Sequence, residues 1–191
     1  MTINYAAKIT GKSAYSPGKY YSKEEVPMKE GELHAEYEMR TFMNRLHVDK
    51  KTGEVFIPPM AFKNALASAA KYLSKSIKGQ GKKTYTAKIE SGVLCFEPFM
   101  LGVTQDGFSP NELFLPSDGK RGGGKRVTKV FPVILNWGGT LHISVVDPIV
   151  SKDVLREHLE AAGNYIGVGT FRPQNNGYYG RFVVDSIKKI A

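Results

Sequence analysis

A single cysteine, Cys95, among 191 residues excludes an internal disulfide and any zinc site built from several thiolates. The four histidines, His34, His47, His142 and His158, show neither H-E-x-x-H nor another paired metal spacing. No apolar run approaches the ~20 residues that span a bilayer, so no membrane partner is expected. The opening Met1-Thr2-Ile3-Asn4-Tyr5 carries neither a basic n-region nor an apolar h-region, and a cytoplasmic location is the expectation. There is no P-loop, nucleophile elbow or deaminase signature, so no cofactor is expected. Acid is the scarcer charge. Against 27 lysines and arginines stand 18 aspartates and glutamates, a formal charge of +9 that draws polyanions and speeds encounter with them. The surplus is clustered, most densely at Lys120, Arg121, Lys125, Arg126 and Lys129, with no acid between them.

The apolar residues are patterned. Ile3, Tyr5, Ala7 and Ile9 alternate with Asn4, Lys8 and Thr10, which predicts a first strand. Residues 13–31 have no sustained period and read as an excursion, with Tyr15, Tyr20 and Tyr21 set among Lys12, Lys19 and Lys23. Such tyrosines either stack bases beside phosphate-binding cations or fold over the core. Residues 32–46 fit a helix or a strand equally, and residues 48–55 read as a tight hairpin turn. Phe62, Leu66, Ala69, Ala70, Leu73 and Ile77 recur at helical spacing after Pro58-Pro59, where a proline in the first turn loses no hydrogen bond. Lys63, Lys71, Lys75 and Lys78 fall on the opposite, solvated side of this helix.

Residues 85–101 read as a strand, with Cys95 as a small buried hydrophobe. Residues 101–125 form a second excursion, ending in Arg121-Gly122-Gly123-Gly124-Lys125-Arg126. A β-hairpin is predicted over residues 127–146, turning at Asn136-Trp137-Gly138-Gly139. Ser151 is the expected N-cap of a helix over residues 152–162, and residues 181–187 form the closing strand. The order strand, helix, strand, strand, helix, strand predicts an α+β fold. Its core is the ferredoxin-like, RNA-recognition-motif-like βαββαβ unit, in one domain over 1–191 with insertions at about 13–55 and 102–126.

Between the last helix and the last strand lies Gly163 to Arg181, with five glycines, four aromatics and two arginines. That density predicts a loop shaped by contact with another chain or a polyanion rather than by its own packing. An ordinary helix C-cap at Gly163 and a turn at Asn175-Asn176-Gly177 would account for part of it.

The helix opening Ile57-Pro58-Pro59-Met60-Ala61-Phe62-Lys63-Asn64-Ala65-Leu66 resembles the I-P-G-S-S-L-K-G-A-L opening of the repeat-associated RAMP superfamily, which includes backbone subunits of CRISPR effector complexes. Gly167-Val168-Gly169 and Gly177-Tyr178-Tyr179-Gly180-Arg181 resemble its glycine-rich loop. The whole chain looks like small stand-alone proteins encoded in phages and prophages. Pro59-Met60-Ala61 replaces the superfamily's Gly-Ser-Ser, so no hydroxyl contact carries over. The resemblance implies a non-catalytic protein on single-stranded nucleic acid, RNA favoured, repeating along the strand with copies of itself and other effector subunits as partners.

The expected phosphate contacts are Lys120, Arg121, Lys125, Arg126, Arg172 and Arg181. Tyr178 and Tyr179 are the stacking candidates, at least one of them core, and Gly167, Gly169, Gly177 and Gly180 are the positions of close backbone approach. Two alternatives stay open. One is a metal-independent endoribonuclease using His34 or His47, with Asp49 either catalytic or a turn residue; the other is a mimic that inhibits an effector complex by occupying its interfaces.

Overall fold

The computed structural model describes residues 2–190 except 23, 119–121 and 123. In chain order its strands are β1 (Ile3–Gly11), β2 (Phe56–Ile57), β3 (Val93–Leu94), β4 (Phe99–Met100), β5 (Ser109–Pro116), β6 (Arg126–Val133), β7 (Gly138–Val145) and β8 (Phe182–Ile190). Its α-helices are α1 (His34–Thr41), α2 (Pro59–Leu73), α3 (Thr86–Gly92) and α4 (Lys152–Ala161). The fold is α+β. The largest sheet has the order β3-β7-β1-β8 with every neighbouring pair antiparallel.

The predicted alternation makes β1 an interior strand, with Tyr5, Ala7 and Ile9 buried on one side. They meet Leu141, Ile143 and Val145 of β7 and Phe182, Val184 and Ile187 of β8. The step from Val184 to Ile187 breaks the period of two because a bulge opposite Lys8 and Ile9 leaves Asp185 unpaired, and Thr10 Oγ1 donates to its carboxylate at 2.7 Å. Helices α2 and α4 cover this face. Phe62 of α2 is fully buried, its ring 4.9 Å from Phe99 and 5.6 Å from Phe182.

Helix α2 starts where the sequence predicts, with Pro59 in its first turn, and ends at Ser74 in a left-handed conformation whose N–H returns to Ala70 O. Ser151 caps α4, its Oγ accepting from Val154 N at 3.3 Å. Beyond Ala161 the helix widens into a π-turn, Ala162–Ile166. A β-carbon at Gly163 would overlap the Phe182 carbonyl, so the wide turn sits where the chain crosses β8.

Several local readings are corrected. Residues 85–101 are not one strand: Thr86–Gly92 is helical, because Thr86 Oγ1 bonds Ala70 O and Lys63 Nζ reaches Ile89 O (3.0 Å) and Glu90 O (2.5 Å). Lys63 is therefore partly buried and tied down rather than solvated, and Lys71 and Lys75 pair with Glu90 and Glu157. Residues 127–146 do not form a hairpin with themselves. Trp137 is buried, its indole donates to Ser13 O at 2.8 Å, and its carbonyl accepts from Gly11 N at 2.8 Å, which delivers β7 to β1. Strand β6 pairs instead with β5, inside the stretch read as a loop. The ambiguous residues 32–46 are α1 followed by a 3-10 turn, Phe42–Arg45.

Candidate nucleic-acid interface

The open face of the main sheet is the first place to look for strand binding. Its strand residues include Asn4, Ala6, Lys8 and Thr10 of β1, Thr140, His142 and Ser144 of β7, and Val183, Ser186 and Lys188 of β8. None of these is aromatic, so the stacking that an RNA-recognition sheet supplies has no ring on these strands. The groups there partly satisfy one another: Ser144 Oγ donates to Asn4 Oδ1 at 2.9 Å, and His142 pairs with Glu97.

The glycine-rich stretch is folded on its own chain. Gly180 N donates to Ala14 O at 2.7 Å, Val168 N to Gly180 O at 3.0 Å, and Tyr179 N to Phe171 O at 3.0 Å. Thr170 donates both its N–H (2.8 Å) and its hydroxyl (2.9 Å) to Ser16 O. Gly169 and Gly180 sit at φ +81° and +71°, and a β-carbon would strike Ser16 O at the first and Val168 O at the second. Their glycines are required by intrachain crossing. The expectation of a loop shaped by an outside contact is thus corrected: the loop is built by internal packing. Gly167 (φ +72°) and Gly177 are likewise closed against Pro173 and Phe171. Phe171 itself takes φ +54°, a strained value for an aromatic residue, and its ring stands 4.9 Å from Phe131 and 6.0 Å from Tyr179.

The outer side of this rigid loop faces the N-terminal half of α2 across two small cavities. One, of about 70 Å³, lies between Asn64 and Ala65 of α2 and Gly167, Arg172 and Gln174 of the loop. The other, about 250 Å³, is lined by Tyr15, His47, Pro58, Thr170 and Arg172 among others. Ala61, Gly169 and Arg172 line both, so the two form one groove. No acidic residue lines either cavity. Arg172 is aimed by Nε to Gln174 Oε1 at 3.3 Å and Nη1 to Gly169 O at 3.4 Å, and Gln174 is held by Ser68 Oγ at 3.2 Å. Burial, aided by the charge of Lys19, pushes the His47 imidazole below its ordinary pKa of 6.5, which keeps it neutral at physiological pH.

The other anticipated contacts divide. Tyr178 is 80% exposed, whereas Tyr179 is partly buried and its hydroxyl accepts from Asn111 Nδ2 at 3.3 Å. Arg181 is partly buried, and its Nη1 donates to Asn164 O at 2.5 Å, bracing the π-turn. Lys125 and Arg126 are exposed at the far end of the β5–β6 hairpin. Phe131, where this hairpin meets the loop, is five residues from Arg126, about 17 Å at ~3.4 Å per residue. Lys120 and Arg121 lie outside the described residues.

Of the histidines and acids weighed for catalysis, His34 is exposed at the start of α1. Asp49 accepts Lys51 N and Thr52 N at 2.8 and 3.0 Å as a turn residue. Only His47 reaches the groove. Asn64 and Gln174 carried no signal in the sequence, since their role depends on α2 lying against the loop.

No protein-family model matches the sequence, and no curated protein matches it. Among solved structures the chain is similar to a chain of the Type III-B Cmr-beta complex bound to cognate target RNA, at 14% identity and a TM-score of 0.56 over 99% of its own length. It spans 61% of that chain. It also superposes on Cmr6 from Pyrococcus furiosus, at 12% identity and a TM-score of 0.48, covering 96% of this chain and 99% of the other. A chain of a CRISPR RNA-guided surveillance complex gives 12% identity and a TM-score of 0.41, covering 98% and 68%. The Cmr-beta likeness is one of fold.

Proposed function

We propose that this protein is a non-catalytic, RAMP-type subunit that binds a single strand, RNA by preference, in the groove between α2 and the glycine-rich loop. The core is read as one ferredoxin-like domain, β1-α2-β3-β7-α4-β8, with the two insertions projecting from it. The strand order β3-β7-β1-β8 supports that reading. The observation that carries the function is the groove: acid-free, walled by backbone at Gly167 and Gly169, and holding an arginine fixed by two hydrogen bonds. Guanidinium donors against a polyanion give affinity without sequence preference. The Cmr-beta chain of like fold belongs to a complex bound to cognate target RNA, in keeping with this role.

Arg172 holds a phosphate in the groove, the exposed Lys19 adds positive charge near its His47 end, Tyr178 stacks on a base beside it, and Lys125 and Arg126 reach a second point on the strand from the hairpin tip. Phe114, 62% exposed on β5, is the surface offered to the next copy in a repeating assembly. A second reading rests on His47, a neutral imidazole beside Arg172, as the general base of an endoribonuclease on the same fold.

The test is fluorescence anisotropy of labelled single-stranded RNA and DNA of increasing length at several salt concentrations, followed by a denaturing gel. Tight, length-dependent binding of an intact strand is expected, with Arg172→Gln flattening the slope of log affinity against log salt by about 0.7 per lost phosphate contact. Absence of binding at low salt would reject the reading in favour of a protein partner. Strand cleavage that disappears in His47→Ala would establish the enzyme.

A further inference from the structure

A cavity of about 590 Å³ is lined by Tyr20, Tyr21, Ser22 and Glu24 of the first insertion, Tyr37 and Glu38 of α1, Arg45 and, on β6, Lys129. It belongs to neither the groove nor the hairpin tip. Its chemistry is different too, because it combines aromatic rings with charges of both signs.

Most of its wall is fixed. Glu38 is 6% exposed, and its Oε2 accepts from Arg45 Nη2 at 3.3 Å and from Val130 N at 3.2 Å. Arg45 Nε donates to Val130 O at 3.2 Å, and its guanidinium lies over the rings of Tyr21 (5.5 Å) and Phe131 (4.8 Å). The Tyr21 hydroxyl meets Thr41 Oγ1 at 3.0 Å, and Tyr37 donates to Val26 O at 2.9 Å. Two groups stand out from this satisfied network. The second oxygen of Glu38, Oε1, accepts nothing from the described residues and keeps an opening to solvent, although the side chain as a whole is more than nine-tenths buried. The Tyr20 ring is 86% exposed at the rim, where packing does not explain it.

A carboxylate oxygen only accepts, so a ligand that pairs with it must bring N–H or O–H donors, and its two lone pairs leave room for two of them. The rings and the guanidinium plane favour a flat occupant. Among the four RNA bases, guanine alone presents two adjacent N–H donors, N1–H and N2–H, on one edge. Adenine and cytosine offer one amino group, and uracil one imino group. Lys129 adds a cation at the wall for a phosphate.

We infer that this cavity binds a guanine base, its N1–H and N2–H toward Glu38 Oε1, its ring against Tyr20 and its phosphate toward Lys129. As a site on a bound strand, it rests on the strand-binding reading and adds sequence preference at one position, which the acid-free groove does not supply.

The experiment titrates the full chain with GMP, IMP, AMP, CMP and UMP by calorimetry, and in parallel measures anisotropy of a guanine-free strand. GMP should bind most tightly. IMP, which keeps N1–H but lacks the 2-amino group, should bind about tenfold more weakly, and the other three more weakly still. Tyr20→Ala should weaken GMP about tenfold with an unchanged unfolding curve, because the ring is exposed. Glu38→Gln should erase the preference for GMP over AMP; if that variant fails to fold, the IMP comparison and Tyr20→Ala still decide. Equal binding of all the nucleotides, no GMP binding at millimolar concentration, or indifference to Tyr20→Ala would each overturn the inference. An arginine-rich peptide that saturates the site and is not displaced by GMP would overturn it in favour of a protein side chain. Tight binding of the guanine-free strand without GMP selectivity removes this pocket alone, whereas loss of both removes the strand-binding reading as well.

Discussion

Two glycine-rich stretches look alike in composition and differ in what their glycines do. At Gly180 a β-carbon would collide with the Val168 backbone, whereas at Gly122 and Gly124, near the end of the β5–β6 hairpin, it would meet nothing within 4 Å among the described residues. The first stretch omits side chains because the chain crosses itself there; in the second, Gly122 takes a left-handed φ of +77° in open space and Gly124 has no such demand, beside the exposed Lys125 and Arg126. Glycine density therefore marks where a side chain is missing, and the neighbours and the backbone angle tell which reason applies. Internal fastening makes the first stretch a wall on which Arg172 is held. The second is surface, and its cations act through their charge.

The largest expected contrast is in stability. Gly180→Ala forces both a left-handed backbone and a backbone overlap, so a loss of at least about 3 kcal/mol in urea denaturation is expected. A loss under about 1 kcal/mol would mean that the loop can relax and that the two stretches are more alike than they look.

Acid should separate the stretches next. His158, on the helix that leads into the packed loop, is buried, with Nδ1 bonded to Val154 O at 2.7 Å and Nε2 without a partner among the described residues. Desolvation lowers its pKa, against the opposing pull of the Val154 bond. Between the folded and unfolded pKa values the unfolded chain binds more protons, so this contribution is complete above the ordinary 6.5 and is lost as pH falls toward the lower folded value. Protection from hydrogen exchange, corrected for the intrinsic pH dependence of amide exchange, should fall below pH 6.5 across residues 163–181 in the wild type, and that fall should vanish in His158→Gln. Equal loss of protection at the hairpin end would break the contrast.

The smallest stability effect, and one confined to binding, is expected at the second stretch. Lys125→Gln with Arg126→Gln should flatten the salt slope by up to about 1.4 for two lost phosphate contacts, and Gly124→Ala should leave the unfolding free energy within about 0.5 kcal/mol. Unchanged affinity in the double variant would remove the hairpin from the strand-binding surface.

Much of the core was legible. The alternation of β1, the proline-opened α2 and the Ser151 cap of α4 are local signals that tertiary structure leaves intact. Helix α3 was not, because seven residues make barely two turns, and it is held by Lys63 and Thr86 contacts to α2 rather than by a pattern of its own. Strand β5 was hidden by Pro110 and Pro116; Pro110 lies opposite Pro132, an arrangement open to a two-stranded ribbon with free edges. In the candidate site, Arg172 was visible from its glycine-rich surroundings. Asn64 and Gln174 were not, since they become neighbours only when α2 docks against the loop.

The position of β1 inside the main sheet has a consequence for how the protein is made. Its hydrogen-bonding edges wait for β7 and β8, and residue 190 leaves the ribosome roughly 10–40 s after residue 3 at ordinary rates of synthesis. Until β7 has emerged, Ile3, Tyr5, Ala7 and Ile9 form an alternating segment with two unpaired edges, the kind that recruits other chains, and one edge stays unpaired until β8 follows; Lys8 is the one charge within it. The first strand of the sheet is fully paired only when the last one, β8, has been synthesised.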